Sequence, residues 1–201
     1  MLTKLKAKIQ QLLGHEARLA HRIGLTPNAA SCLGMVFALL SAFLYWKSFS
    51  DTHLLVLATI LLLLSGLCDA LDGVIARLYE EATVFGGFID SLLDRYADAI
   101  VLAGIILAGF SDAFWGIATI VGTLLVSYTR ARAEVAGVKM ESIGVAERPE
   151  RIVILALASL ITLVWFPALR WSIILLAILT NLTVFQRVFH FNRALKRGLC
   201  S

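Results

Sequence analysis

Four aspartates lie inside the most apolar part of this chain, at spacings that place them on helix faces. Asp69 and Asp72 stand at i and i+3 in Asp69-Ala70-Leu71-Asp72-Gly73-Val74-Ile75-Ala76-Arg77, and Asp90 and Asp94 at i and i+4 after Gly86. Residues at these separations share a helix face. A charged side chain inside a bilayer costs on the order of 3 kcal/mol or more unless it is paired or solvated, so intramembrane acids default to function. Oxygen-only ligands in this number suit Mg²⁺, Mn²⁺ or Ca²⁺ rather than zinc. Mutual repulsion is relieved by cations, and two metals about 4 Å apart serve phosphoryl transfer in many enzymes.

The residues between the acids fit a phosphorylated ligand. Gly73 lets a phosphate or nucleotide approach the helix backbone, and Gly86 permits close helix packing. Arg77, one turn beyond Gly73, has the planar donor fork that clamps a diphosphate. A competing reading pairs the acids with Arg77 and Arg95 as buried ion pairs, but two arginines cannot match four acids. Asp98 extends the Asp90, Asp94 stripe by a turn and is open between a partner of Arg95 and a group of the site.

The elements that must carry these residues are membrane helices. The 201 residues are 59% apolar with mean hydropathy +0.85, against about 45–50% apolar for soluble domains. The fold class read from this is an all-α membrane protein: six transmembrane helices preceded by an N-terminal amphipathic interfacial helix, in one domain over 1–201. Spans of about 20 apolar residues are expected from Ala29 to Trp46, Leu54 to Arg77, Val84 to Phe110, Ala113 to Tyr128, Ile152 to Phe166 and Trp171 to Phe185. A short turn from Glu80 to Thr83 makes the second and third antiparallel neighbours, and a polar loop runs from Thr129 to Arg151. Leu2, Leu5, Ile9, Leu12 and Leu13 recur at helical spacing among Lys4, Lys6 and Lys8, which reads as a helix in the interface within residues 1–24. No cleavable signal peptide is evident.

Charge sets the orientation. Lys and Arg collect at the N-terminus, at Arg77, between Arg130 and Arg151, and at Arg187, Arg193, Lys196 and Arg197. The opposite side holds Lys47 and Arg170. By the positive-inside rule both termini and the acids face the cytoplasm, in a multi-pass protein of the cell membrane. The net charge of +4 is thereby explained by topology, and no nucleic-acid partner is expected. Cys32, Cys68 and Cys200 form no CxxC pair or zinc pattern and read as packing or incidental residues.

The pattern D-x2-D-G-x2-A-R-x8-G-x3-D-x3-D, here Asp69, Asp72, Gly73, Ala76, Arg77, Gly86, Asp90 and Asp94, resembles the signature of the CDP-alcohol phosphatidyltransferase family. The resemblance implies that Asp69, Asp72 and Asp90 are metal ligands for two Mg²⁺ or Mn²⁺ ions, and that Asp94 is the general base and helps hold the second metal. It implies that Gly73, Arg77 and Thr83 contact the CDP group of a CDP-lipid donor, and that the protein is a homodimer among membrane lipids. Leu25-Thr26-Pro27-Asn28 resembles the family's TPN element, making Asn28 and Ser31 donor contacts; a plain helix start with Pro in the first turn explains Thr26-Pro27-Asn28 equally well. The reaction implied displaces CMP by an acceptor hydroxyl.

The acceptor is read from arginines. Ser127-Tyr128-Thr129-Arg130-Ala131-Arg132-Ala133-Glu134 precedes Glu147-Arg148-Pro149-Glu150-Arg151. Arg130, Arg132, Arg148 and Arg151 near a metal site suit an anionic acceptor, a phosphate monoester; the alternative is that they anchor helix ends at an anionic surface. Both segments resemble the SY-x-KARAE and ERPER elements of the family's phosphatidylinositol-phosphate synthase branch, whose acceptor is inositol 1-phosphate, with Arg130 in place of lysine. The overall style is closest to the archaeal subgroup, in which the donor is CDP-archaeol rather than CDP-diacylglycerol. Glycerol 3-phosphate is the alternative acceptor. A cation transporter is the alternative outside the family, but the chain lacks the repeated halves and broken helices of transporters.

Overall fold

The computed structural model describes residues 13–49, 51, 53–140 and 143–197, and among them there is no β-strand. Leu2, Leu5, Ile9, Leu12, the N-terminal lysines and Cys200 lie outside the described residues. Residues 13–22 form helix α1. Then follow α2 (Pro27–Lys47), α3 (His53–Leu78), α4 (Val84–Leu107), α5 (Ala113–Val135), α6 (Arg148–Thr162) and α7 (Ala168–Lys196).

Local chemistry sets the ends. Thr26 caps α2 by accepting from Ala29 N at 3.3 Å, with Pro27 opening the helix, where its missing N–H costs nothing. Thr83 caps α4 by accepting from Gly86 N at 3.0 Å. α1 ends at Gly24, whose φ of +88° favours glycine. It packs Ala17 onto Val74 and Ile75 of α3. His21 stacks on Tyr79 with ring centroids 3.6 Å apart.

α2, α3 and α7 are long and apolar enough to cross a membrane. Small polar side chains share the interior with an apolar core, and large apolar side chains also cover the outside. Ser41, Thr59, Ser65, Thr119, Ser159 and Thr180 are buried, whereas Leu39, Phe43, Leu57, Ile60, Leu157 and Ile161 are exposed. Without a hydrophobic drive between helices, polar bonds and small residues hold them together. Ser41 Oγ donates to Ala58 O at 2.7 Å, Thr119 Oγ1 lies 3.0 Å from Ile173 O, and Tyr45 Oη and Ser159 Oγ are 2.7 Å apart.

The structure corrects three expectations. α3 and α4 scarcely touch; α2 lies against both. It fits because Gly34 faces Cys68 and Ser65 of α3, while Gly104 of α4 lies on the Ala42 backbone. Next, the Thr129–Arg151 segment is not all loop. α5 continues to Val135, supported by an i,i+4 pair between Arg130 and Glu134 at 2.8 Å. Finally, the helix that carries the sixth expected span continues past Phe185 to Lys196, where Ala194 packs with Ala133, Val138 and Met140. At the end of the bundle away from the acids, Phe49, Phe110 and Phe166 from three interhelix turns meet at ring separations of 5.6–5.9 Å.

Gly104→Ala pushes a methyl into the Ala42 backbone, so the purified protein should lose about 1–3 kcal/mol of stability and melt at a lower temperature. Gly87→Ala, with nothing within 4 Å of the added carbon, should melt at the same temperature or slightly higher.

Candidate active site

The C-terminal part of α3 and the first half of α4 bring carboxylates together. One oxygen each of Asp69, Asp72 and Asp90 lies within 4.8 Å of the others. α2 supplies a donor between them: Ser31 Oγ donates to Asp72 Oδ2 at 2.6 Å. Three acids on two helices, with oxygen donors only, fit a hard divalent cation. Asp94 lies outside this trio and shares an arginine with Asp69.

That arginine is Arg148. Its Nη1 is 2.7 Å from Asp69 Oδ1 and also bonds Asp94 Oδ1, and its Nε is 3.3 Å from Asp98 Oδ1. Arg151 Nη2 takes the other Asp98 oxygen at 2.5 Å, and its Nη1 donates to Ala146 O at 3.0 Å. Asp98 is thus the partner of the α6 arginines and not of Arg95, which lies 3.5 Å from Asp94 Oδ2. The acids are paired by Arg148 more closely than by Arg95 or Arg77.

The chain delivers Arg148 by an ordered turn. Glu147 is the N-cap residue of α6, Arg148 is its first residue and Pro149 follows. The preceding segment is bolted to α7. Thr183 Oγ1 accepts from Val145 N and Ala146 N, each at 3.2 Å. Gly144, at φ +122°, lies where any Cβ would strike Thr183. Arg187, only 2% exposed, donates Nε to Ile143 O at 2.9 Å and Nη1 to Val126 O, and its Nη2 is 3.8 Å from Glu147 Oε1. Arg187 escaped the sequence reading as a tail charge, although Thr180, Thr183 and Arg187 form a polar stripe at helical spacing in an apolar helix.

Two neighbouring cavities share Ser65, Ala97 and Arg148. One is lined by the four acids and Ser31. The other is lined by Asp98, Arg151 and apolar residues such as Leu62, Leu102 and Leu155.

The other expected residues divide into near and far. The Arg77 guanidinium folds back over Gly73, where a Cβ would meet Nη1 at 3.4 Å. Asn28 and Thr83 converge on Gly86, whose Cβ would lie 3.0 Å from Asn28 Oδ1 and 2.8 Å from Thr83 Oγ1. Thr26-Pro27-Asn28 is therefore a helix start and also places Asn28 beside the α4 cap. Arg130 and Arg132 stand apart from the acids among the described residues: Arg130 pairs with Glu134, and Arg132 is exposed in the last turn of α5.

Residues 24–185 match the family model described as CDP-alcohol phosphatidyltransferase. The chain is 38% identical over 200 residues to the archaetidylinositol phosphate synthase of Pyrococcus horikoshii, covering 98% of this chain and 100% of the relative. It is 32% identical to the phosphatidylinositol phosphate synthase of Mycobacterium marinum, over 84% of this chain and 74% of that one. The fold matches the crystal structure of Mycobacterium tuberculosis phosphatidylinositol phosphate synthase with CDP-DAG bound, with a TM-score of 0.75 and 27% identity over 90% of this chain and 94% of that one. A second structure of that enzyme, in complex with manganese and citrate, matches with the same TM-score of 0.75 at 28% identity, over 87% of this chain and 86% of that one. The chain belongs to the CDP-alcohol phosphatidyltransferase family and, by that membership, is a membrane phosphotransferase.

Proposed function

We propose that this protein transfers a lipid phosphatidyl or archaetidyl group from a CDP-lipid to the hydroxyl of inositol 1-phosphate, releasing CMP. The observation that carries the reading is the meeting of the Asp69, Asp72, Asp90 trio with the α6 arginines, through Arg148, at one wall of the acid-lined cavity. The synthases it resembles act in the same sense by name, and likeness to an archaetidylinositol phosphate synthase supports CDP-archaeol as the donor.

Asp69, Asp72, Asp90 and Asp94 would hold two Mg²⁺ or Mn²⁺ ions. Bound there, the ions would supply positive charge to the donor's diphosphate, where charge develops on transfer. The chain's residues do the rest. Arg77, backed by Gly73, clamps the diphosphate, and Ser31, Asn28 and Thr83 orient the CDP group. Arg148 and Arg151 meet the acceptor phosphate, with Arg130 and Arg132 at its approach. Asp94 receives the acceptor's hydroxyl proton, the new O–P bond forms, and the P–O bond to CMP breaks.

In this reading all six long helices span the bilayer as one domain, the termini and acids face the cytoplasm, and two copies form a homodimer. The distribution of Lys and Arg supports the orientation.

CMP release by the purified protein with Mg²⁺ and CDP-archaeol should depend on inositol 1-phosphate. Release with glycerol 3-phosphate alone would overturn the acceptor and keep the transfer chemistry. Asp94→Asn should lower turnover at least about a hundredfold while CDP still protects against thermal unfolding; near-normal turnover would remove Asp94 as the base. Arg148→Ala and Arg151→Ala should raise the acceptor KM about tenfold or more, as expected for a lost charged hydrogen bond, with a smaller change in donor KM.

A further inference from the structure

Asp98 has no part in the metal trio or the donor contacts, yet it is among the most heavily engaged carboxylates in the molecule. It stands one turn beyond Asp94 on α4 and takes one guanidinium on each oxygen: Arg148 Nε at 3.3 Å on Oδ1 and Arg151 Nη2 at 2.5 Å on Oδ2. Arg151 is itself fixed to Ala146 O at 3.0 Å and is 5% exposed. Asp98 is therefore a rigid anchor rather than a mobile acid.

Arg148 stands at a fork. One edge of its planar group, Nη1, lies on Asp69 and Asp94, and another, Nε, lies on Asp98. A divalent cation at Asp69 and Asp94 would share these carboxylates with the Nη1 end of the guanidinium, and like charges repel at such range. Released from both acids, a buried guanidinium with no counter-ion would be costly. The Nε contact to Asp98 is separate from the Nη1 contacts and is the one left when those are given up. Arg148 lines both cavities, the acid-lined one and the one that holds Asp98 and Arg151.

We propose that Asp98 is a positioning residue: it holds Arg148 by Nε, so that the guanidinium yields the Asp69 and Asp94 oxygens to a divalent cation and turns to the acceptor side. This rests on the reading above in which Asp69, Asp72, Asp90 and Asp94 hold the metals. Without Asp98, the metal ligands are the counter-ions left to Arg148, and it competes with the ion.

Mn²⁺ binding to the purified full chain, read from the free-ion signal in electron paramagnetic resonance, tests this. Asp98→Asn should weaken Mn²⁺ binding roughly tenfold or more, as loss of an outer partner of a metal site does. Arg148→Gln should not weaken it. In the Arg148→Gln background the added Asp98→Asn change should shift Mn²⁺ affinity by less than about twofold, the mark of a residue acting through another. Unchanged Mn²⁺ affinity in Asp98→Asn overturns the proposal. So does a tenfold loss that persists in the Arg148→Gln background, which would mark a simple through-space charge. Should Asp98→Asn fail to fold, Asp98→Ser takes its place in both the single and the double variant. Asp90→Asn separates the two readings. If it binds Mn²⁺ normally, the metal assignment fails and the role of Asp98 with it. If it loses Mn²⁺ while Asp98→Asn does not, the positioning role alone fails.

Discussion

The constraint on which this structure turns is the compensation of clustered negative charge in a poorly solvating interior. Asp69, Asp72, Asp90, Asp94 and Asp98 lie on two helices of an apolar bundle, and water cannot neutralise them as it would on a soluble surface. The chain answers with arginines from a distant segment, Arg148 and Arg151 at the start of α6. Everything that fixes those arginines becomes part of the site: the Glu147–Arg187 pair, the Gly144 turn, and the Thr183 and Arg187 bolts on α7. The site is thus assembled from five helices, though the acids come from only two.

That dependence explains why α2 sits where it does. Placed between α3 and α4, it inserts Ser31 against Asp72 and keeps the two acid-bearing helices from collapsing on each other. Close approach at Gly34 and Gly104 gives α2 its place. Asn28 at its first turn then arrives beside the α4 cap without further adjustment. A single helix start, Thr26-Pro27, both terminates one connection and registers a polar group at the rim of the site.

Much of this was legible in the sequence because it is local. Spacing within α3 and α4 predicts shared faces for Asp69 with Asp72 and Asp90 with Asp94. Hydropathy locates the six long helices to within a few residues at most ends. What was not legible depends on contacts between distant segments. The interposition of α2 follows from glycines whose partners are a helix away. Asp98 could belong to Arg95 or to the site on spacing alone, since its partners lie fifty and fifty-three residues downstream. Arg187 looked like one more basic residue of the tail, because its burial depends on α7 continuing past the apolar run to pack beside Val138 and Met140. The extra length of α5 was hidden by its polar content, which an i,i+4 ion pair makes compatible with a helix.

The ring cluster of Phe49, Phe110 and Phe166 has a mechanical meaning. It fastens three interhelix turns at one end of the bundle, and the Asp112–Arg170 pair at 2.8 Å reinforces that end. Rods tied at one tip can spread only at the other. For helices such as α3, about 39 Å long at 1.5 Å per residue, a tilt of about 3° about the aromatic fulcrum moves the free tip by roughly 2 Å. Angular play about the clamped end would therefore be felt most at the carboxylate end, where the Arg148 and Arg151 ion pairs oppose it.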